Sequence, residues 1–182
     1  MRQRIIILHG IVEGIGMRPA LYRFSVAHGL RGYVCNLSGF VKLLWQGDAS
    51  RIEQAFAELS SAFPNGSRVE FPPAFTDSEA DCIYPDFSII KEDGISAGQV
   101  NRLTPPDRAP CAKCLAEIHS SADRHSGYAF NSCAECGPRA TVIECLPYER
   151  EHTAWKDFPL CPDCRKEYEN PADRRFHVEG IS

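Results

Sequence analysis

The 182-residue sequence has no long apolar run and no excess of positive charge. No stretch approaches the roughly 18–20 apolar residues that a bilayer-spanning helix needs. The opening MRQRIIILHG is basic with a short apolar run, too short for a signal-peptide core, and no small-residue cleavage site follows it. We therefore expect a cytoplasmic protein, with residues 5–8 in a buried strand. Residues 1–104 carry 10 basic and 11 acidic side chains, and residues 105–182 carry 10 and 13, for a formal net charge of −4. Neither half supplies the positive field that phosphate backbones attract, so no nucleic acid is expected as a partner. Hydrophobic content of 43% fits a globular chain with room for one or two domains.

Cysteine is scarce at first and then abundant. Cys35 and Cys82 stand alone in the first 110 residues and read as small core residues. The other seven fall between Cys111 and Cys164, and six of them form C-x-x-C pairs: Cys111/Cys114, Cys133/Cys136 and Cys161/Cys164. In a reducing compartment such pairs read as metal ligands rather than disulfides.

The first half reads as an α+β domain in the order β-α-β-β-α-β. A strand over 4–9 leads into a glycine-rich loop over 10–16, and Pro19 suits the first turn of a helix that Gly29 ends. LRGYVCNL and FVKLLWQ are strands joined at Ser38-Gly39. Ser50 and Glu53 form an S-x-x-E capping box, and Ile52, Ala55, Phe56, Leu59 and Phe63 follow the helical period. Strands near 69–71 and 87–91 complete a ferredoxin-like layout of two helices on one face of a four-stranded antiparallel sheet. Residues 1–91 form this domain, and residues 92–110, poor in large apolar side chains, read as a linker.

Residues 111–182 repeat at an offset of 50. Cys111 and Cys114 recur as Cys161 and Cys164, Glu117 as Glu167, and Ala122-Asp123-Arg124 as Ala172-Asp173-Arg174. CAKC, 18 residues and CAEC fit the spacing of a structural zinc site, in which four soft thiolates close a tetrahedron and leave no position for substrate. Iron–sulfur binding and a redox dithiol remain alternatives. The first module, 111–138, is complete; the second, from 161, expects its partner cysteines beyond Ser182. His177, His152 or Cys145 could stand in as ligands.

GIVEGIGMR, residues 10–18, lies between a strand and a helix. Its glycines let backbone N–H groups converge, and Arg18 at the helix mouth can fork onto two phosphate oxygens. By spacing alone, a tight turn with a surface arginine is the alternative. His9 and His28 read as surface or strand-end residues.

VEGIGMR followed by GYVCNLSGFV resembles the acylphosphatase signature, whose family has the ferredoxin-like fold. An acylphosphatase-like domain followed by repeated cysteine modules is similar to the N-terminal part of the HypF-type carbamoyltransferases of [NiFe]-hydrogenase maturation. CGPR, LPYER, FPLCPDC and NPADRRFH resemble that family's zinc-finger segment. The resemblance implies hydrolysis of carbamoyl phosphate or another acyl phosphate. Arg18 would bind the phosphoryl group, the backbone of Glu13, Gly14, Ile15, Gly16 and Met17 would cradle it, and Asn36 would orient the attacking water. The zinc would be structural. In the family's longer proteins the carbamoyl group passes through a carbamoyl-adenylate to a cysteine of the partner HypE. Glu13 departs from the family's glutamine and Met17 from its aromatic. A non-catalytic zinc scaffold with a vestigial phosphate loop is the alternative reading.

Overall fold

Strand β1 (Arg2–Ile11) runs through the sheet with Ile6 and Leu8 fully buried on one face and Ile5 turned to the other, the period-2 alternation of a pleated strand. The computed structural model describes residues 1–37, 39–70, 72–91, 107–137, 139–146 and 148–181. Helix α1 (Met17–Ala27) follows the glycine loop, and strands β2 (Arg31–Leu37) and β3 (Phe40–Gly47) form a hairpin. Helix α2 (Ala49–Glu58) comes next, then β4 (Arg68–Val69), β5 (Ala74–Glu79) and β6 (Phe87–Ile89).

The sheet runs β4-β1-β3-β2-β6, with β5 also paired to β1. This is the expected ferredoxin-like core with a corrected edge. The last strand of the β-α-β-β-α-β order is β5, antiparallel to β1, and not the segment around Phe87. β6 instead adds a parallel strand beside β2, so the sheet is mixed. β5, AFTDSE, is exposed at every position. An edge strand wet on both faces carries no hydrophobic alternation by which a sequence could announce it.

The main core lies between the sheet and both helices: Leu21 of α1 and Ile52 and Ala55 of α2 pack against Val34, Val41, Leu43 and Trp45. Buried Trp45 donates its indole N–H to Ser25 Oγ at 2.7 Å. The expected Ser50/Glu53 capping box is absent. α2 starts at Ala49 after Asp48, without a side-chain cap. Glu53 is drawn instead to the buried Arg4, whose guanidinium it meets at 2.6 Å while Asp77 takes the other side. A buried guanidinium needs carboxylate partners more than an exposed helix end needs a cap. Cys35 is buried as expected, but Cys82 is exposed; it sits on the crossing from β5 to β6, where its carbonyl accepts from Gln46 Nε2 at 2.7 Å.

Of the residues read as a linker, 92–106 lie outside the described residues. Beyond them the chain forms two short helices, α3 (Ala112–His119) and α4 (Pro162–Glu169). The repeat at offset 50 is repeated in the backbone. His125 N donates to Asp123 Oδ1 and Arg175 N to Asp173 Oδ1, both at 2.8 Å. Gly127 N reaches Ile118 O at 2.8 Å, and His177 N reaches Tyr168 O at 3.0 Å. That equivalence accounts for the left-handed φ of 51° at His177, which stands where the first copy has Gly127 at 71°. Among the described residues no helix is long and apolar enough to cross a membrane.

Candidate functional site

The four cysteines of the first module converge. Cys111 precedes α3 and Cys114 lies in its first turn, while Cys133 and Cys136 form a knuckle in which Cys133 N donates to Cys136 Sγ at 3.4 Å and Gly137 N to Cys133 O at 3.0 Å. Their Sγ atoms all lie within 4.8 Å of one another. Cys111–Cys133 and Cys114–Cys136 stand 3.8 Å apart, and Cys133–Cys136 3.9 Å. A tetrahedron with metal–sulfur bonds of about 2.3 Å has ligand–ligand edges of about 3.8 Å. The thiols therefore fit a tetrahedral ion, and three of the four are buried.

Cys161 and Cys164 repeat the half-site geometry, with Pro162 opening α4 and Cys164 N donating to Cys161 Sγ at 3.4 Å. Among the described residues no third histidine, cysteine or carboxylate clusters with them, His177, His152 and Cys145 included.

The glycine loop is gripped by the knuckle. Gly16, at φ 79°, lies so close to Ala134 that a Cβ there would stand 2.5 Å from the Ala134 carbonyl oxygen. Among the described residues, the backbone N–H groups of Gly14, Ile15 and Gly16 donate to no other group. Beside them is a cavity of about 30 Å³ lined by Gly14, Gly16, Arg18, Asn36, Tyr148 and His177 among others.

The side-chain donors of Arg18 and Asn36 that line this cavity are met by protein oxygen. Arg18, 5% exposed, donates to Glu149 Oε1 at 2.5 Å and Glu179 Oε1 at 2.9 Å. It also donates to the Tyr148 carbonyl at 3.2 Å, and Asn36 Nδ2 donates to that same oxygen at 3.2 Å. Arg18 and Asn36 are thus brought together, as the sequence reading requires, but on oxygens of the cysteine-rich half. Burial pushes the Glu149 carboxyl up to about 7 against the pull of Arg18. Glu179 is raised for the same reason. Burial works against the charge of Arg18, but the two carboxylates outweigh it and hold the guanidinium ionised. His177, also against the cavity, is lowered to about 4, by burial first and then by Arg18.

Glu13 does not face the cavity as a free charge. Its carboxylate accepts the N–H of Gly39 at 2.7 Å and of Tyr148 at 2.8 Å. Met17 is buried in the main core. His9 packs on Phe40 and His28 follows α1, and neither lines the cavity. Tyr148, Glu149 and Glu179 carry no sequence signal of their own as site residues; their contacts with Arg18 span 130 residues or more.

Residues 4–89 match the acylphosphatase family model, and residues 111–143 and 160–182 match the HypF finger model. A carbamoyltransferase HypF of Rhodobacter capsulatus is 39% identical over 175 residues, 96% of this chain and 23% of that relative. A probable carbamoyltransferase HypF of Methanocaldococcus jannaschii is 39% identical over 145 residues, 79% of this chain and 18% of its own length. The crystal structure of full-length HypF in the phosphate- and nucleotide-bound form superposes over 100% of this chain and 23% of that one, with a TM-score of 0.86 at 34% identity. The chain spans about a quarter of the length of these relatives. It belongs to the HypF family and corresponds to the acylphosphatase-like domain and HypF finger region of those longer proteins.

Proposed function

We propose that this chain carries the acyl phosphate-hydrolysing site of a HypF-type carbamoyltransferase, with carbamoyl phosphate as substrate and zinc as the structural ion of the four cysteines. The observation that carries the reading is the convergence of Arg18 and Asn36 on one oxygen, 3.2 Å from each, beside a loop whose backbone donors meet no acceptor among the described residues. In the free site that oxygen is the Tyr148 carbonyl, with the Glu149 carboxylate next to it. In the working site the phosphoryl oxygens take their place.

The chemistry then asks little of side-chain bases. Arg18 neutralises the phosphoryl charge, and the N–H groups of Glu13, Gly14, Ile15, Gly16 and Met17 offer fixed donors to its equatorial oxygens. Asn36 orients a water whose oxygen bonds to phosphorus as the bond to the acyl oxygen breaks. The products are phosphate and carbamate, and the water's protons pass to them. A mixed anhydride has a good leaving group, so positioning and charge stabilisation suffice. Zinc, when bound, fixes the knuckle that seats against Gly16. Formation of the carbamoyl-adenylate and transfer to a HypE-type partner would fall to the parts of the family's proteins outside the matched quarter. The resemblance also supports a cytoplasmic setting.

Phosphate release from carbamoyl phosphate tests this. Arg18→Ala should abolish it, and Asn36→Ala should lower kcat by about 10²–10³-fold. Release that survives Arg18→Ala would remove the site from this loop. No release from the folded, metal-loaded chain would leave the loop as a joint between the two halves.

A further inference from the structure

The two cysteine repeats exchange arginines. Arg174, in the second copy, reaches into the first: its guanidinium donates to Cys114 Sγ at 3.1 Å and Cys111 Sγ at 3.6 Å. Glu117, one turn along α3, fixes the same guanidinium at 2.6 Å. Fifty residues earlier, Arg124 of the first copy reaches into the second, with its two terminal nitrogens 3.3 and 3.4 Å from Cys164 Sγ. Its anchor is Glu167, the repeat counterpart of Glu117, at 2.8 Å. The backbone reinforces the first exchange, since Ala134 N, inside the Cys133/Cys136 knuckle, donates to Arg174 O at 3.0 Å.

Four thiolates around one divalent ion leave a net negative charge on sulfur, in a site that is mostly buried. A guanidinium that donates to two of those sulfurs spreads that charge and fixes the orientation of Cys111 and Cys114. We propose that Arg174 is a positioning residue for the metal at Cys111, Cys114, Cys133 and Cys136, and that Arg124 orients the Cys164 thiolate of the second repeat. Each repeat thus shapes the sulfur environment of the other, and the four-cysteine site reaches full metal affinity only when the second repeat is folded. The inference concerns the cysteine region alone and stands whether or not Arg18 supports hydrolysis.

Cobalt(II) reports the sulfur contacts directly. A hydrogen bond to a coordinated thiolate lowers the energy of its donor electrons, so its loss moves the sulfur-to-cobalt charge-transfer band to lower energy. The 182-residue chain with one equivalent of cobalt should show that shift in Arg174→Gln. Chelator competition should show metal affinity lower by about 10–100-fold. Arg150→Gln is the control for a loss that is merely structural, because Arg150 donates to the carbonyls of Phe158, Glu179 and Ile181 and, among the described residues, to no sulfur. Its band should stay at the wild-type energy. Arg174→Lys keeps the charge but cannot fork across two sulfurs, and its band should move part of the way; it is also the readable variant if the glutamine does not fold. A band in Arg174→Gln or Arg174→Lys that coincides with the wild type overturns the proposal. So does an equal shift in Arg150→Gln.

Discussion

Glu13 is a carboxylate on a loop whose proposed task is to hold an anion, and its geometry removes the conflict. Both of its oxygens are committed to backbone N–H groups, Gly39 on the β2–β3 turn and Tyr148 across the chain. The charge that does oppose an incoming phosphate comes from elsewhere, at Glu149 and Glu179. One guanidinium cannot neutralise two buried carboxylates, and burial raises Glu149 from its ordinary 4.5 to about 7. A raised carboxyl favours the folded state in its protonated form. That stability is fully present below about pH 4.5 and is lost as pH rises toward 7. Between those limits the wild type should lose up to roughly 3 kcal/mol relative to Glu149→Gln. Urea unfolding of both proteins at pH 5 and pH 7.5 measures the difference, and parallel stabilities would deny the linkage. With one fewer competing anion, Glu149→Gln should also lower the KM for acyl phosphate.

The glycine loop and the Cys133–Cys136 knuckle form a joint that depends on the smallness of Gly16. An alanine there combines a left-handed φ of 79° with a Cβ 2.5 Å from the Ala134 carbonyl. Gly127 is the natural comparison: its φ is 71°, but a Cβ would meet nothing within 4 Å. Gly127→Ala should cost about 1 kcal/mol from backbone conformation alone, and Gly16→Ala about 1–3 kcal/mol more because the knuckle must move. Denaturant midpoints for the two variants test this; equal losses would mean the knuckle is not seated on the loop. At this scale the sequence was unevenly legible. α1, β1 and the β2–β3 hairpin follow from apolar period and turn residues, and the offset-50 repeat carried over to the backbone hydrogen bonds. β5 was hidden because AFTDSE buries no face, and the Ser50/Glu53 cap failed because Arg4, 49 residues away, claims Glu53. The cysteine spacing pointed to the four-thiol cluster. The Arg174–sulfur contact was present only as an unexplained arginine recurring at offset 50.

Across the whole molecule, the cysteine-rich half is docked on the face of the sheet domain that bears α1 and the glycine loop. Arg23 donates to the carbonyls of Pro171 at 2.8 Å and Asp173 at 2.7 Å. Tyr22 meets Phe176 edge-on with ring centres 5.2 Å apart, and Tyr148, Glu149 and Glu179 close over Arg18. The two halves hold themselves together differently. The sheet domain has a continuous apolar core, whereas the first cysteine module has a cluster made of the cysteines themselves. Metal removal should therefore unfold 107–181 selectively, because binding free energy supplies most of the folding energy of such modules. Amide exchange should become fast over that half while β1, β2 and β3 stay protected. The effect on hydrolysis follows from what covers Arg18. Unfolding the cysteine region withdraws Glu149, Glu179 and the Tyr148 carbonyl, while the loop donors and Asn36 remain on the sheet domain. Chelation should thus preserve or raise phosphate release and lower the KM, with Arg18→Ala still silent. Release that disappears with the metal, while β1–β3 remain protected, would instead make the cysteine-rich half a working wall of the site rather than its cover.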